Sequence, residues 1–147
     1  MNPALKLFVT LAVAVAGANG IAQTVTWQTP ALAGVSGERS GISALPLHVF
    51  DDITMPGKEF RVLRTTYAPG GQNPKHYHPS HVIFHVLEGS GIWQEEGKEA
   101  ITLKAGDTTH IRPGMVHAHR NASATEKLVF LEFVIVDKGQ RSTVPMR

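Results

Sequence analysis

Histidine is concentrated in one part of this chain. The stretch HYHPSHVIFH, residues 76–85, contains four of the eight histidines, and His110, His117 and His119 follow within the next 34 residues. Neutral imidazole binds a divalent transition metal through one ring nitrogen, and it is the commonest metal ligand among side chains. The grouping therefore indicates a metal site, unless these are ordinary polar residues that are close only in sequence.

The spacing within two pairs of histidines refines this interpretation. His76 and His78 are separated by one residue, and so are His117 and His119. On a regular strand, residues two apart leave the same face with Cα atoms about 6.5–7 Å apart, so both rings of a pair can lean toward one ion. A lone His-x-His is also typical of a polar strand end at a turn, so the spacing alone leaves both interpretations open.

The elements that must position these residues are short strands. Several segments are rich in β-branched and aromatic residues and are separated by Gly, Pro, Asn and Asp, whereas no stretch of twelve residues has a helical period. This pattern predicts an all-β sandwich or barrel in one domain. The segment Gly89-Ser90-Gly91 is predicted to be a hairpin turn. The predicted strands are residues 60–67, 81–88, 92–96, 99–103, 108–112, 116–120 and 128–136.

The N-terminal segment is typical of a secretory signal peptide. Lys6 precedes an apolar run over residues 7–16 that is too short to span a bilayer, and small residues follow it. We expect cleavage after Ala22, otherwise after Ala18, and a periplasmic or secreted protein without stable membrane association after cleavage. An uncleaved anchor is the alternative. Residues 23–46 are predicted to form an N-terminal arm with one short strand near residues 25–28.

Composition restricts the classes of partner. Without residues 1–22, the remaining 125 residues carry 13 basic and 12 acidic side chains, a net charge of +1, which gives no electrostatic basis for binding nucleic acid. There is no cysteine, so stability comes from the core, helped by a metal or a partner subunit, and not from disulfides. No G-x-S-x-G motif is present, which leaves a serine hydrolase unsupported.

Two segments together resemble a known family. Residues 71–89, GQNPKHYHPSHVIFHVLEG, and residues 106–121, GDTTHIRPGMVHAHRN, resemble in order the two motifs of the cupin superfamily, small β-barrels that hold a metal inside the barrel mouth. The resemblance covers about residues 60–136. It implies a single jelly-roll-like cupin barrel of two antiparallel sheets over residues 47–147. The matching positions are Gly70 or Gly71, His76, His78 and Gly89 in the first motif, and Gly106, Gly114, His117 and Asn121 in the second.

The resemblance also implies a ligand set. His76, His78 and His117 fall on metal-ligand positions, but the family's usual fourth ligand, a glutamate, is replaced by Val82, which cannot coordinate a metal. His81 is a possible fourth ligand if the Pro79-Ser80 bend redirects it. His119 is a competitor for the role of His117.

Two further residues are candidates for a catalytic role. His110 could line the cavity near the metal, and Arg112, which stands where the second motif usually has proline, could meet a substrate carboxylate with its planar fork. An arginine on the solvated barrel rim is the more ordinary interpretation of Arg112. His85 is expected to face outward or into an interface.

A site of imidazoles without a carboxylate suits Zn, Cu, Fe and Ni better than Mg or Mn. The resemblance favours one divalent Fe or Cu ion per chain, with Zn and Ni also suitable. No other cofactor is indicated. Because the family includes three-histidine iron dioxygenases and copper–oxygen chemistry, the resemblance implies a mononuclear metal-dependent oxidoreductase of the dioxygenase type acting on a small molecule. The alternative is a non-catalytic metal- or ligand-binding protein, in which His81 or His119 would complete the coordination sphere. A metal-free structural barrel is a third, less favoured interpretation.

The resemblance implies a homodimer as well. Its contacts are expected through sheet edges and the N-terminal arm. The apolar final strand, residues 128–136, would otherwise be partly exposed.

Overall fold

The computed structural model describes residues 38–146 and, of the segment before them, the backbone of residues 12–16 and 22–26. Strands β1 (Ala12–Ala16) and β2 (Ala22–Thr26) pair antiparallel in a unit of their own. The predicted signal peptide and arm fall mainly outside the described ranges, so both stay predictions. The short strand expected near residues 25–28 overlaps the end of β2.

The second unit is built entirely from strands. Among the residues that the structure describes there is no helix, so none that could cross a membrane, and the predicted all-β class is confirmed. The strands are β3 (Ser40–Asp51), β4 (Lys58–Tyr77), β5 (Val82–Glu88), β6 (Ser90–Glu95), β7 (Ile101–Lys104), β8 (Thr108–Ile111), β9 (His117–Asn121), β10 (Leu128–Asp137) and β11 (Val144–Pro145).

Strand β4 joins the two halves of the barrel. Its first part, through Tyr67, pairs with β3 and β10, whereas its last part, from Gln72, pairs with β9 and β11. The strand order is therefore β3-β4-β10-β5-β8 on one side and β11-β4-β9-β6-β7 on the other, with every pair antiparallel. These are the two antiparallel sheets that the resemblance implies, and together they form a nearly closed barrel.

The segment PGGQNP was expected to end the strand at residue 67, but β4 continues to Tyr77. Gly70 has a φ of 69°, and a side chain at the buried Gly71 would place its Cβ 2.8 Å from the carbonyl oxygen of Gly41. Glycine therefore lets the chain bend and change partners without leaving the sheet. As a consequence, His76 lies within β4 and His78 directly follows it.

The hairpin predicted at Gly89 is wrong. β5 and β6 are consecutive, yet β5 pairs with β10 and β8 while β6 pairs with β9 and β7, so the chain crosses between sheets at this glycine. Gly89 has a φ of 76°, and a Cβ there would lie 2.3 Å from the carbonyl oxygen of Lys127. Both a hairpin and an inter-sheet crossing need a positive φ, so the local sequence does not distinguish them.

Two expectations about the edges of the sheets also change. β3 begins at Ser40, inside the segment expected to be an arm, and tolerates Pro46 because it is an edge strand with a register shift at that point. β10 is paired on both sides, so the apolar final strand is central and not an edge. Most of the large exposed apolar side chains lie instead on β3 and the turn after it.

The core lies between the sheets. Alternate residues of β5 and β10 face it, and each fully buried aliphatic or aromatic side chain contributes about 1.5–3 kcal/mol to folding. The buried cluster consists of Tyr67, Val82, Phe84, Val86, Trp93, Ile111, Leu128, Phe130, Val134 and Val136.

Candidate metal centre

Four buried histidines face the interior of the barrel. Within the antiparallel pair of β4 and β9, His76 lies opposite His117 and Asn73 lies opposite His119. Because residues two apart on a strand share a face, each His-x-His pair points inward together. His76, His78, His117 and His119 are at most 5% exposed.

The imidazole rings form one compact group. The ring centroid of His76 lies 4.1 Å from that of His117, 5.2 Å from that of His78 and 5.1 Å from that of His119. One ring nitrogen each of His76, His117 and His119 lies within 4.8 Å of the other two. His78 completes the group, with its ring centroid 5.1 Å from that of His117. Three buried histidines are thus close enough to bind one metal ion, and a fourth lies beside them.

Backbone carbonyl groups orient three of these rings. The Nδ1 atom of His76 donates to the carbonyl oxygen of Pro74 at 2.6 Å, that of His78 to Ser142 at 2.6 Å, and that of His117 to Met115 at 2.8 Å. A carbonyl oxygen only accepts, so the proton of each neutral ring is on Nδ1 and the lone pair is on Nε2. This is the arrangement by which proteins fix a histidine for metal coordination.

The inward-facing nitrogens carry the argument for a metal. Nε2 of His78, His117 and His119 is buried and has no hydrogen-bond partner. Nε2 of His76 accepts from the side-chain amide of Asn73 at 3.2 Å, a bond that coordination would replace. Leaving a buried polar atom unpaired costs about 1–3 kcal/mol, so three in one place indicate a site whose ligand is a metal ion.

Burial keeps these rings neutral. Desolvation, together with a smaller effect of the neighbouring imidazoles, lowers the pKa of His76 to about 4 and that of His117 to about 2. Desolvation also lowers the pKa of His78 and of His119. All four rings are therefore unprotonated near neutral pH, which is the form that binds a metal.

Aromatic side chains wall the histidines on one side. Trp93 stacks on His117 at 4.2 Å and on His119 at 5.3 Å between ring centroids, and Tyr67 stacks on His119 at 5.2 Å. Phe84 meets His119 edge-on at 5.6 Å. Val82, at the position where the family usually has a glutamate, is fully buried in the same core. The wall is therefore apolar, and His119 is the additional potential ligand inside the barrel.

The other sequence-predicted residues lie outside this group. His81 is exposed, and its Nδ1 lies 2.9 Å from Nε2 of His110, which is exposed as well. Arg112 is exposed and contacts Glu95 at 3.5 Å. His85 is half-buried on the outward face of β5 and bonds to Thr108 at 2.8 Å. The structure thus brings together His76, His78, His117 and His119, but not His81, His110 or Arg112.

Glu132 is a buried polar residue near the site that the sequence analysis did not single out. It lies on the inward face of β10, accepts a hydrogen bond from the Thr65 hydroxyl at 2.5 Å, and lines a cavity of about 810 Å³ together with Asn73. Desolvation raises the pKa of its carboxyl group. The sequence does contain a signal for this burial. In LVFLEFVIV, Glu132 is two residues from both Phe130 and Val134, which face the core, so it lies on the same face of the strand.

Comparison with known proteins agrees with the fold. The family described as Cupin domain matches residues 63–136, and the chain belongs to this family. A cupin-like protein from Thermotoga maritima is 33% identical, with 63% of this chain and 67% of that chain covered and a TM-score of 0.53. Among curated proteins, no sequence is significantly similar to this one.

Two further solved structures share the fold at lower identity. A protein with a double-stranded beta-helix domain from Klebsiella pneumoniae is 21% identical over 78% of this chain and 91% of that chain, with a TM-score of 0.57. The DMSP lyase DddQ from Ruegeria pomeroyi is 20% identical over 71% of this chain and 51% of that chain, also with a TM-score of 0.57. At this identity the likeness concerns the fold alone.

Proposed function

We propose that this protein is a metal-dependent cupin enzyme that acts on a small molecule. In this proposal the motif histidines His76, His78 and His117 hold one divalent transition metal through Nε2. His119, whose ring nitrogen is grouped with those of His76 and His117, is the fourth imidazole and competes with His78 as a ligand. The observation that carries the proposal is that Nε2 of His78, His117 and His119 is buried and unpartnered, while backbone carbonyl groups orient the rings of His78 and His117. A bound metal would supply Lewis-acid activation of an oxygen ligand and, for iron or copper, redox chemistry.

The residues of the chain have distinct tasks in this proposal. The carbonyl groups of Pro74, Ser142 and Met115 hold the rings in one tautomer. The aromatic wall excludes water from one side, and the cavity lined by Asn73 and Glu132 leaves room for a small molecule. Imidazole ligands suit Fe, Cu, Zn and Ni, and the proposed oxidation requires Fe or Cu. The proposed reaction class is an oxidation of the dioxygenase type.

A non-catalytic metal-binding protein is the second candidate. His119 favours it, because four imidazoles would fill a tetrahedral coordination sphere and leave no position for a substrate. A lyase is present among the structural neighbours, so a non-redox reaction at the same metal belongs in the screen.

The first test is elemental analysis of the mature protein, purified without a histidine tag. We expect about one transition-metal ion per chain in the wild type. The variant His117→Ala should bind metal about tenfold or more weakly, since a ligand and its orienting hydrogen bond are lost together. His81→Ala is the matched control and should bind metal as the wild type does. Unchanged affinity in His117→Ala would show that the ligand set is wrong.

Metal identity then separates the two candidate functions. Iron or copper, with oxygen consumption during turnover of small diones, phenols, thiols or sugars, supports the enzyme. Zinc with no turnover of any compound in the screen supports the binding protein.

A further inference from the structure

The cavity lined by Asn73 and Glu132 has six charged residues on its wall. Its volume is about 810 Å³, and it is lined by Glu38 and Arg39 just before β3, by residues of β3, β4 and β10, and by the segment after β10. Its apolar surface includes Leu63, Pro145 and Met146. The charged side chains on its wall are Glu38, Arg39, Arg61, Lys75, Glu132 and Arg141.

Two of the four cations are occupied by the protein itself. Arg61 pairs with Glu59 and donates to the carbonyl oxygen of Gln140, and Lys75 pairs with Glu96 at 2.6 Å. Within residues 38–146, Arg39 and Arg141 form no salt bridge with a carboxylate. Two guanidinium groups are therefore available to a ligand in the cavity.

Arg39, on the cavity wall, is close enough to the buried residues Glu132 and Tyr67 to interact with them electrostatically. Its charge acts on the carboxyl of Glu132 and on the phenol of Tyr67, lowering the pKa of each against the effect of burial. Asn73 lines the same cavity and contacts His76 in the metal centre. A molecule held by Arg39 would thus extend toward Glu132 and Asn73, and so toward the histidines.

We propose that this cavity binds a small carboxylic acid, whose carboxylate is held by Arg39 and Arg141 while a hydroxyl group at its other end meets Glu132 and Asn73. The inference rests on the proposed function in one respect, since it names the substrate class of that site. Arginine suits this role because its planar fork matches a carboxylate with two parallel hydrogen bonds.

The charges of the cavity favour a monoanion. Arg39 and Arg141 contribute two available positive charges, and Glu38 and Glu132 supply two acidic groups on the same wall. A dianion such as phosphate would be repelled by the Glu38 carboxylate. A molecule with a single carboxylate and an apolar remainder could hydrogen-bond to both arginines and contact the apolar part of the cavity wall.

The test compares acids with their neutral amides on the protein as purified, with the metal content of every sample measured. The pairs are glycolate with glycolamide, lactate with lactamide, and 4-hydroxybenzoate with 4-hydroxybenzamide, and binding is measured by calorimetry. We expect at least one acid to bind about tenfold or more tightly than its amide, as a charge-assisted hydrogen bond requires. The double variant Arg39→Gln, Arg141→Gln should lose this preference. Arg112→Gln, which removes an arginine outside the cavity, should keep it.

Three results would overturn the proposal. No acid binds better than its amide, or the preference persists in the double variant, or inorganic phosphate binds more tightly than every acid in the same arginine-dependent way. The proposed function fails separately, through the metal content and its dependence on His117. Failure of the carboxylic-acid proposal therefore does not imply failure of the proposed metal-dependent function, and the reverse also holds.

Glu132 has its own comparison. The wild type should bind 4-hydroxybenzoate several-fold more tightly than benzoate. Glu132→Leu should abolish that difference while keeping the preference for acid over amide, which also shows that the variant is folded. A wild type that does not distinguish the two compounds would contradict the role given to Glu132.

Discussion

Burial shifts the pKa of Glu132 and the pKa of the buried histidines in opposite directions. The reason is that a carboxyl group is charged when it has lost its proton, whereas an imidazole is charged when it has gained one. Desolvation disfavours the charged form of each, so it lowers the pKa of His76 and raises that of Glu132. The Thr65 hydroxyl and the charge of Arg39 oppose the shift at Glu132 without cancelling it. Burial thus favours the neutral form of both kinds of group inside one barrel.

The raised pKa of Glu132 gives a prediction about stability and pH. Between the pKa of Glu132 in the unfolded chain and its higher value in the folded protein, the folded state binds more protons, so this group destabilises the protein as pH rises. Glu132→Gln removes that titration but keeps the shape. We expect the variant to gain stability relative to the wild type as pH rises above 4.5, the ordinary pKa of a glutamate carboxyl, measured by urea unfolding. A stability difference independent of pH would contradict this.

At the scale of elements, Asn121 shows how one side chain connects several segments. Its amide nitrogen lies 3.0 Å from the carbonyl oxygen of Ala68 and 2.7 Å from that of Glu126, and its oxygen accepts from the backbone of Ser123 at 2.9 Å. The end of β9 is thus joined to the bend of β4 and to the loop before β10. The asparagine of the second motif therefore has a structural role.

Replacing Asn121 should be costly. Asn121→Ala leaves several partly buried backbone groups without partners, so we expect a loss of roughly 2–4 kcal/mol in the free energy of unfolding. Urea denaturation measures it, and Asn121→Asp should also destabilise because the donating amide is gone. A loss below about 0.5 kcal/mol would show that water replaces these bonds.

At the scale of the whole molecule, β3 is the part of the described fold that leaves most apolar surface exposed. Leu45 is 60% exposed, Leu47 and Val49 are each 50% exposed, and Ile53 in the following turn is 94% exposed. This edge strand pairs only with β4 among the described residues. An unpaired apolar edge is a site for association with a second chain.

We therefore expect a homodimer through β3. Light scattering after size-exclusion chromatography should give twice the chain mass for the wild type and one chain mass for Leu47→Glu, because two like charges would meet in the interface. Ile101→Glu, at another exposed apolar position, is the control and should stay dimeric. A monomeric wild type would contradict the prediction.

Export is the second expectation at this scale. The N-terminus of the protein recovered from a periplasmic fraction should be Gln23, or Asn19 for the alternative cleavage site, as intact mass spectrometry would show. Recovery of the chain with its first residues intact would contradict cleavage and favour an anchor.

The amino-acid sequence by itself determined the all-β class, most of the strands and the histidine pairs, because alternation of side chains and turn residues act over a few positions. It also placed His76, His78 and His117 on one predicted site. These features depend on local backbone geometry and on the order of the two motifs along the chain, neither of which depends on how the side chains pack.

Tertiary structure decided the rest. Whether the chain forms a hairpin or crosses between sheets at Gly89 depends on which distant strands pair. The pairing of distant strands also makes β3 an edge strand and β10 a central strand. His119 joined the buried histidine cluster, while His81 stayed exposed, because the register of β9 against β4 and the placement of the residues before β5 are properties of the assembled barrel. Glu132 became a buried carboxyl group only once β10 was enclosed between β4 and β5.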